Sequence, residues 1–189
     1  MTERRALYDD AGLIALLRQG KSHDGHRPLG VPVTTYQHLS NPEIRDITAW
    51  LRSIPAVVNP ELPKGWRSSE VEQSVADGTF PFNEDIPAPG VHPTASRPTE
   101  SIALGRHIAM TSCTECHGSD LNTPVGSDAP SLIVAKSYTS EKFAQLMKTG
   151  VTSSGKESTT GLMSRVARER FASLTDDEIR ALKAYLDQR

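Results

Sequence analysis

Cys113-Thr114-Glu115-Cys116-His117 places two thiols and an imidazole within five consecutive residues. A C-x-x-C-H run is a covalent attachment pattern for c-type haem. The spacing has a chemical basis. Thiols three positions apart on a helical turn can each bond a vinyl-derived carbon on one porphyrin edge, and the adjacent imidazole is then carried under the iron as an axial ligand. Both cysteines of the chain lie in this run, so the motif accounts for one haem and leaves no thiol for a disulfide. Two other chemistries use such a pair. A redox C-x-x-C belongs in a strand-to-helix setting, and a structural zinc site requires two further Cys or His ligands at regular spacing. The sequence carries neither pattern.

The motif must be held by helices. Ser101 to Met110 leads into it with apolar residues at Ile102, Leu104, Ile108 and Ala109, which predicts a short amphipathic helix. Downstream, after Ala129-Pro130-Ser131-Leu132, the stretch Tyr138 to Thr149 predicts a helix stopped by Gly150. The last element, Thr175 to about Gln188, opens on a Thr175-x-x-Glu178 capping box and places Ile179, Leu182, Tyr185 and Leu186 at helical spacing. A loop containing Gly161-Leu162-Met163-Ser164 separates these two helices.

This arrangement resembles the class I c-type cytochromes over residues 99–189. The resemblance is carried by Cys113-x-x-Cys116-His117, Pro130-x-Leu132, the Gly161-Leu162-Met163 loop and the helix start at Leu174-Thr175. It implies an all-α fold whose first and last helices cross, with Gly105 against Tyr185. It also implies that the Pro130 carbonyl accepts the other imidazole N–H of His117, and that Leu132 lines the haem face. Met163 would be the second axial ligand, opposite His117, since Met/His ligation is a cytochrome c mode. The remaining methionines are less suited. Met1 is terminal, Met110 lies on the motif's own helix, and Met147 falls on an apolar stripe with Phe143 and Leu146, where methionine usually fills a core. His107 is the nearest rival and is more often a surface or packing histidine.

The function implied is one-electron transfer by a carrier that works with redox partner proteins, not catalysis. Full ligation of the iron leaves no position for substrate. The alternatives are an electron-accepting or docking subunit of a larger dehydrogenase or oxidase complex, and a haem enzyme. Arg165, Arg168 and Arg170 follow Met163 closely. They read either as a solvated helix face or as a positive rim steering an acidic partner.

The first half of the chain repeats part of the second. Leu16-Leu17-Arg18-Gln19-Gly20 aligns with Leu146-Met147-Lys148-Thr149-Gly150, and Ser40-x-x-Glu43-Ile44-Arg45 with Thr175-x-x-Glu178-Ile179-Arg180. Trp50-Leu51 then falls on Tyr185-Leu186. Residues 1–54 accordingly resemble the back half of a second cytochrome domain. No C-x-x-C-H precedes them, and Val33, which cannot ligate iron, stands where Met163 would. His23, His26 and His38 sit in polar loop contexts and are expected to be solvated. The helix bearing Ile44, Ile47, Trp50 and Leu51 has an apolar face that lacks its crossing helix. Leu13, Leu16 and Leu17, the linker, the cytochrome domain or another chain must cover it.

Residues 55–98 hold Pro55, Pro60, Pro63, Pro81, Pro87, Pro89, Pro93 and Pro98, the composition of a semi-extended linker, with a short helix possible near Ser69 to Ala76. The net charge of −2 and its even distribution give no reason to expect a nucleic-acid partner. No apolar run approaches the roughly 18 residues of a membrane span. Residues 1–10 do not read as a secretory leader, although c-type haem is joined outside the cytoplasm. A periplasmic or equivalent location is therefore expected, with numbering that starts inside a longer precursor or a short gene assignment.

Overall fold

Helix signals in the sequence become helices throughout the computed structural model, which describes residues 4–25, 28–29, 31–56, 68–79, 96–122 and 129–189. No strand occurs among them, and the fold is all-α, as the resemblance implies. The order is α1 (Asp10–Gln19), α2 (Val33–Tyr36), α3 (Asn41–Ser53), α4 (Ser69–Ala76), α5 (Ser101–Ser112), α6 (Thr114–His117), α7 (Ser140–Thr149), α8 (Leu162–Val166) and α9 (Asp176–Asp187). A 3₁₀ segment, Leu132–Ser137, precedes α7, and a π-helical turn, Ala167–Phe171, continues α8.

Each long helix is bounded by local chemistry. Gly150 ends α7 in the left-handed region at φ 75°, a conformation that costs glycine nothing sterically. At α9, Thr175 Oγ1 accepts from Glu178 N at 3.2 Å and Glu178 Oε2 accepts from Thr175 N at 2.8 Å, a reciprocal cap on two otherwise orphaned donors.

The main core lies between α5 and α9. Ile108 and Ala109 from α5 meet Ile179, Leu182 and Leu186 from α9, and α7 adds Phe143, Leu146 and Met147. Burying each large side chain contributes about 1.5–3 kcal/mol, so this cluster sets where α5, and the cysteines beyond it, can sit. The two helices cross at Gly105. A Cβ there would lie 1.9 Å from the Ala181 carbonyl oxygen and 2.9 Å from Tyr185 Cβ. The close approach requires glycine, and the expected pair is in contact.

The α1–α3 and α7–α9 segments share their construction. Each begins with a ten-residue helix ended by a left-handed glycine, continues through a short helix, and ends in a longer helix with a Ser/Thr–Glu capping box. The likeness extends to one polar device. Arg18, in the last turn of α1, donates to the carbonyls of Leu39 at 2.8 Å and Ser40 at 3.1 Å, and to Asn41 Oδ1 at 3.0 Å. Lys148, in the last turn of α7, donates to the Leu174 carbonyl and lies 3.7 Å from Asp176. Both cations tie their helix to the start of the next capped helix.

A second cluster of Leu17, Val31, Val33 and Ile44, with Leu16, Ile47 and Leu51 packed against it, covers the inner face of α3. Trp50 departs from the expected apolar face, being 60% exposed. Its counterpart Tyr185 lies against α5, whereas no described helix crosses α3 at that point. The α4 helix forms where the Ser/Val pattern places it, with Ser68 as its N-cap. Most of the proline-rich linker, and His26, lie outside the described residues.

The two halves touch. α2 packs on α5 and α6, and Glu43 of α3 lies 3.0 Å from His107 Nε2 on α5. His107 is therefore a buried histidine with a carboxylate partner. His38 corrects an expectation. Its Nε2 is buried without a hydrogen bond, and its pKa is lowered to about 4 by burial, then by the neighbouring charges of Arg106 and His107. The polar loop context failed to signal this because the charges that act on it come from α5. His23 is exposed, as expected, with its ring edge-on to Tyr8.

Candidate haem-attachment site

The attachment run begins where α5 ends. Cys113 N donates to the Ala109 carbonyl at 2.9 Å, and His117 N donates back to the Cys113 carbonyl at 2.9 Å. The two thiols thus lie on a single turn, and neither is in a disulfide. Burial, followed by the neighbouring Cys116, pushes the Cys113 thiol up to about 12. Cys116 is also raised, by burial and then by Glu115, with Arg170 opposing. A redox dithiol needs the opposite shift, toward the thiolate. Among the described residues, no group of three or more His, Cys, Asp or Glu could hold a metal ion.

His117 is buried, and its Nδ1 lies 2.7 Å from the Pro130 carbonyl oxygen. A carbonyl only accepts, so Nδ1 carries the proton and Nε2 presents its lone pair. Burial lowers the His117 pKa, only partly offset by this bond, so the ring stays neutral. Pro130 is positioned through Leu121. Leu132 N donates to the Leu121 carbonyl at 2.8 Å, and Leu121, 1% exposed, is held at φ 60°. A bulky residue in that region stores about 1–2 kcal/mol of strain, which its burial offsets. Sequence patterns carry no sign of Leu121.

Met163 occupies the second position of α8, partly buried against the main core together with Cys113 and Leu132. Its neighbour Ser164 fixes it. Ser164 Oγ donates to the Gly150 carbonyl at 2.6 Å and accepts from Ser158 N at 2.8 Å, while Ser164 N donates to Ser158 Oγ at 3.2 Å. Ser164 is fully buried, so the loop between α7 and α8 is pinned beside the methionine. Neither serine stands out in the sequence. Met147 and Met110 are buried in the main core.

These donors fit a haem. Two thiols outside any disulfide stand one turn apart, followed by an imidazole whose Nδ1 is tied. A thioether lies in the first turn of α8, beside a pinned loop, and sulfur and imidazole are suitable donors for haem iron. Ile133, Val134 and Leu162, next in sequence to Leu132 and Met163, are exposed, as suits side chains that flank a flat apolar group. The arginine rim is weaker than its sequence suggests. Arg168 lies 2.9 Å from Glu157 and Arg170 lies 3.3 Å from Glu115.

A comparison with known families matches residues 102–189 to the family described as Cytochrome c. A comparison with curated proteins finds no match.

Proposed function

We propose, from the premise that residues 102–189 belong to the cytochrome c family, that this haem-based electron carrier works with one covalent haem, ligated by His117 and Met163. When bound, haem c supplies an iron that takes up and releases a single electron. Cys113 and Cys116 would hold it as thioethers. His117 would present Nε2, its ring orientation set by the bond to Pro130, a second contact that also raises ligand basicity. Met163 would provide the thioether from the first turn of α8, kept in place by Ser164, and Leu132 would line the haem face. His117 and Met163 would both hold the group in either redox state, so the chain itself would supply its protein ligands.

The observation that carries this reading is the His117 Nδ1 contact with the Pro130 carbonyl at 2.7 Å. It directs one nitrogen of a neutral, buried ring away from the backbone, immediately beside the two thiols. The ligand assignment is tested by Met163→Ala. The oxidised protein should lose its weak far-red sulfur-to-iron band, and the reduction potential should fall, because a methionine ligand raises it. A surviving band would transfer the role to another methionine.

We read residues 1–54 as a haem-less half of a duplicated domain, joined by the linker of residues 55–98 to the haem domain of residues 99–189. No thiol exists in the first half, and Val33 occupies the place of Met163. The exposed Trp50 favours a second reading, in which this half docks the carrier onto a larger oxidoreductase complex. Both readings imply protein redox partners. Covalent haem attachment supports a periplasmic or equivalent location, which protease accessibility in intact cells would test. No helix among the described residues is long and apolar enough to cross a membrane.

A further inference from the structure

Between the two cysteines stands a residue with no role so far. Thr114 opens α6, is 1% exposed, and its Oγ1 has three polar neighbours. These are the Met110 carbonyl oxygen at 3.0 Å, the Thr34 carbonyl oxygen at 3.2 Å and Thr35 Oγ1 at 3.1 Å. A threonine hydroxyl has one proton and two lone pairs. The two carbonyls only accept, so with the Thr114 proton turned to them the third contact closes when Thr35 donates to Thr114. Thr35 is itself 7% exposed, and a hydroxyl sealed from water without a partner is destabilising. The pair therefore constitutes a built polar link across the boundary between the two halves.

The link acts on an element that cannot hold itself. A helix of four residues has barely offset its nucleation cost, and α6 contains Cys116 and His117. Another tie across the boundary, Glu43 to His107, reaches α5 six residues before Cys113, and Arg97 links Glu43 to Glu178 of α9. We propose that α2 is a brace for the attachment turn, with Thr35 and the Thr34 carbonyl as positioning groups that fix Thr114 and, through it, the backbone bearing Cys113 and Cys116. The half that lost its haem thus retains a function, which is to hold the cysteine turn still and keep water off it. Solvent exposure and hydrogen bonding around a haem tune its potential, so the brace also helps set the potential. This inference rests on the haem being attached through Cys113 and Cys116.

The experiment uses the full-length holoprotein with Thr35→Val, Thr35→Ser, Thr114→Val and the Thr35→Val/Thr114→Val double variant. Two quantities are read, amide hydrogen exchange over residues 113–117 and the reduction potential. Thr35→Val should speed exchange about tenfold, the factor that about 1.4 kcal/mol of lost hydrogen bonding produces, and should lower the potential as water reaches the turn. Thr35→Ser keeps the hydroxyl and should restore both. The double variant should change little beyond Thr114→Val alone, since the two residues act through one contact. Unchanged exchange and potential in Thr35→Val would overturn the brace. So would a drop in melting temperature with neither readout altered, or strictly additive effects. If the protein proves to carry no covalent haem, the potential drops out of the test, but exchange over the turn still decides whether α2 braces it.

Discussion

Substituting Gly105 with alanine adds one methyl group where the structure has no space for it. The new Cβ would lie 1.9 Å from the Ala181 carbonyl oxygen and 2.5 Å from its carbon. These are backbone atoms of α9, so no side chain can rotate away, and a separation of 3.0 Å is the least that real Cβ atoms show. The helices must part by about 1 Å at the crossing. A gap of that size forfeits a quarter to a half of each dispersion well it opens, and the contacts at stake include Ile108, Ala109, Ile179 and Leu182. Overpacking of a tight core typically costs 1–3 kcal/mol. With backbone as the obstacle, about 3 kcal/mol is expected, a large share of the 5–15 kcal/mol that stabilises a domain. At about 4–8 °C per kcal/mol for a domain of this size, the melting temperature should fall by roughly 12–24 °C in thermal unfolding followed by far-UV circular dichroism. Gly155→Ala is the control. Nothing lies within 4 Å of its added Cβ, so only about 1 kcal/mol of left-handed backbone strain should appear. Equal stability losses in the two variants would show that the crossing is not held by the close approach.

Ser164→Ala removes a buried hydroxyl that serves both the Gly150 carbonyl and Ser158 N, so stability should fall by about 2–3 kcal/mol. The loop holding Met163 should loosen with it, and added imidazole should displace the methionine at lower concentration; an unchanged imidazole titration would refute the pinning role. His38 is held neutral in the fold, with a pKa of about 4 against an ordinary 6.5. Between these values the unfolded chain binds a proton that the folded chain does not, so stability should decline as pH falls from 6.5 to 4 and level off below. Once partial exposure is discounted, the loss is at most about 2 kcal/mol. Chemical denaturation across that range should flatten in His38→Gln, and an identical pH profile in the variant would assign the acid sensitivity elsewhere.

Elements governed by neighbouring residues are legible in the amino-acid sequence. The attachment run, the capping boxes at Ser40 and Thr175, and the stop at Gly150 depend on groups within a few positions of one another, and each forms where the sequence places it. The repeat is legible as well, because the same local chemistry recurs. What escapes a sequence reading depends on distant partners. Thr114 meets Thr35 across 79 positions, and the charges acting on His38 come from α5, so neither carries a local signal. Leu121 adopts a left-handed conformation that its residue type argues against, sustained only by tertiary burial. Trp50 shows the converse failure. Periodicity places it on the apolar face by analogy with Tyr185, but the crossing helix that Tyr185 packs against has no counterpart among the described residues.

The central claim is one haem, joined through Cys113 and Cys116. Intact mass of the natively isolated holoprotein, followed by peptide mapping of residues 113–117, tests it most directly. The account predicts a mass one haem above that of the chain, resistant to acid–acetone extraction, with the added mass confined to the peptide containing both cysteines. A mass equal to the bare chain, a haem that extracts into acetone, or a second haem on residues 1–98 would contradict it.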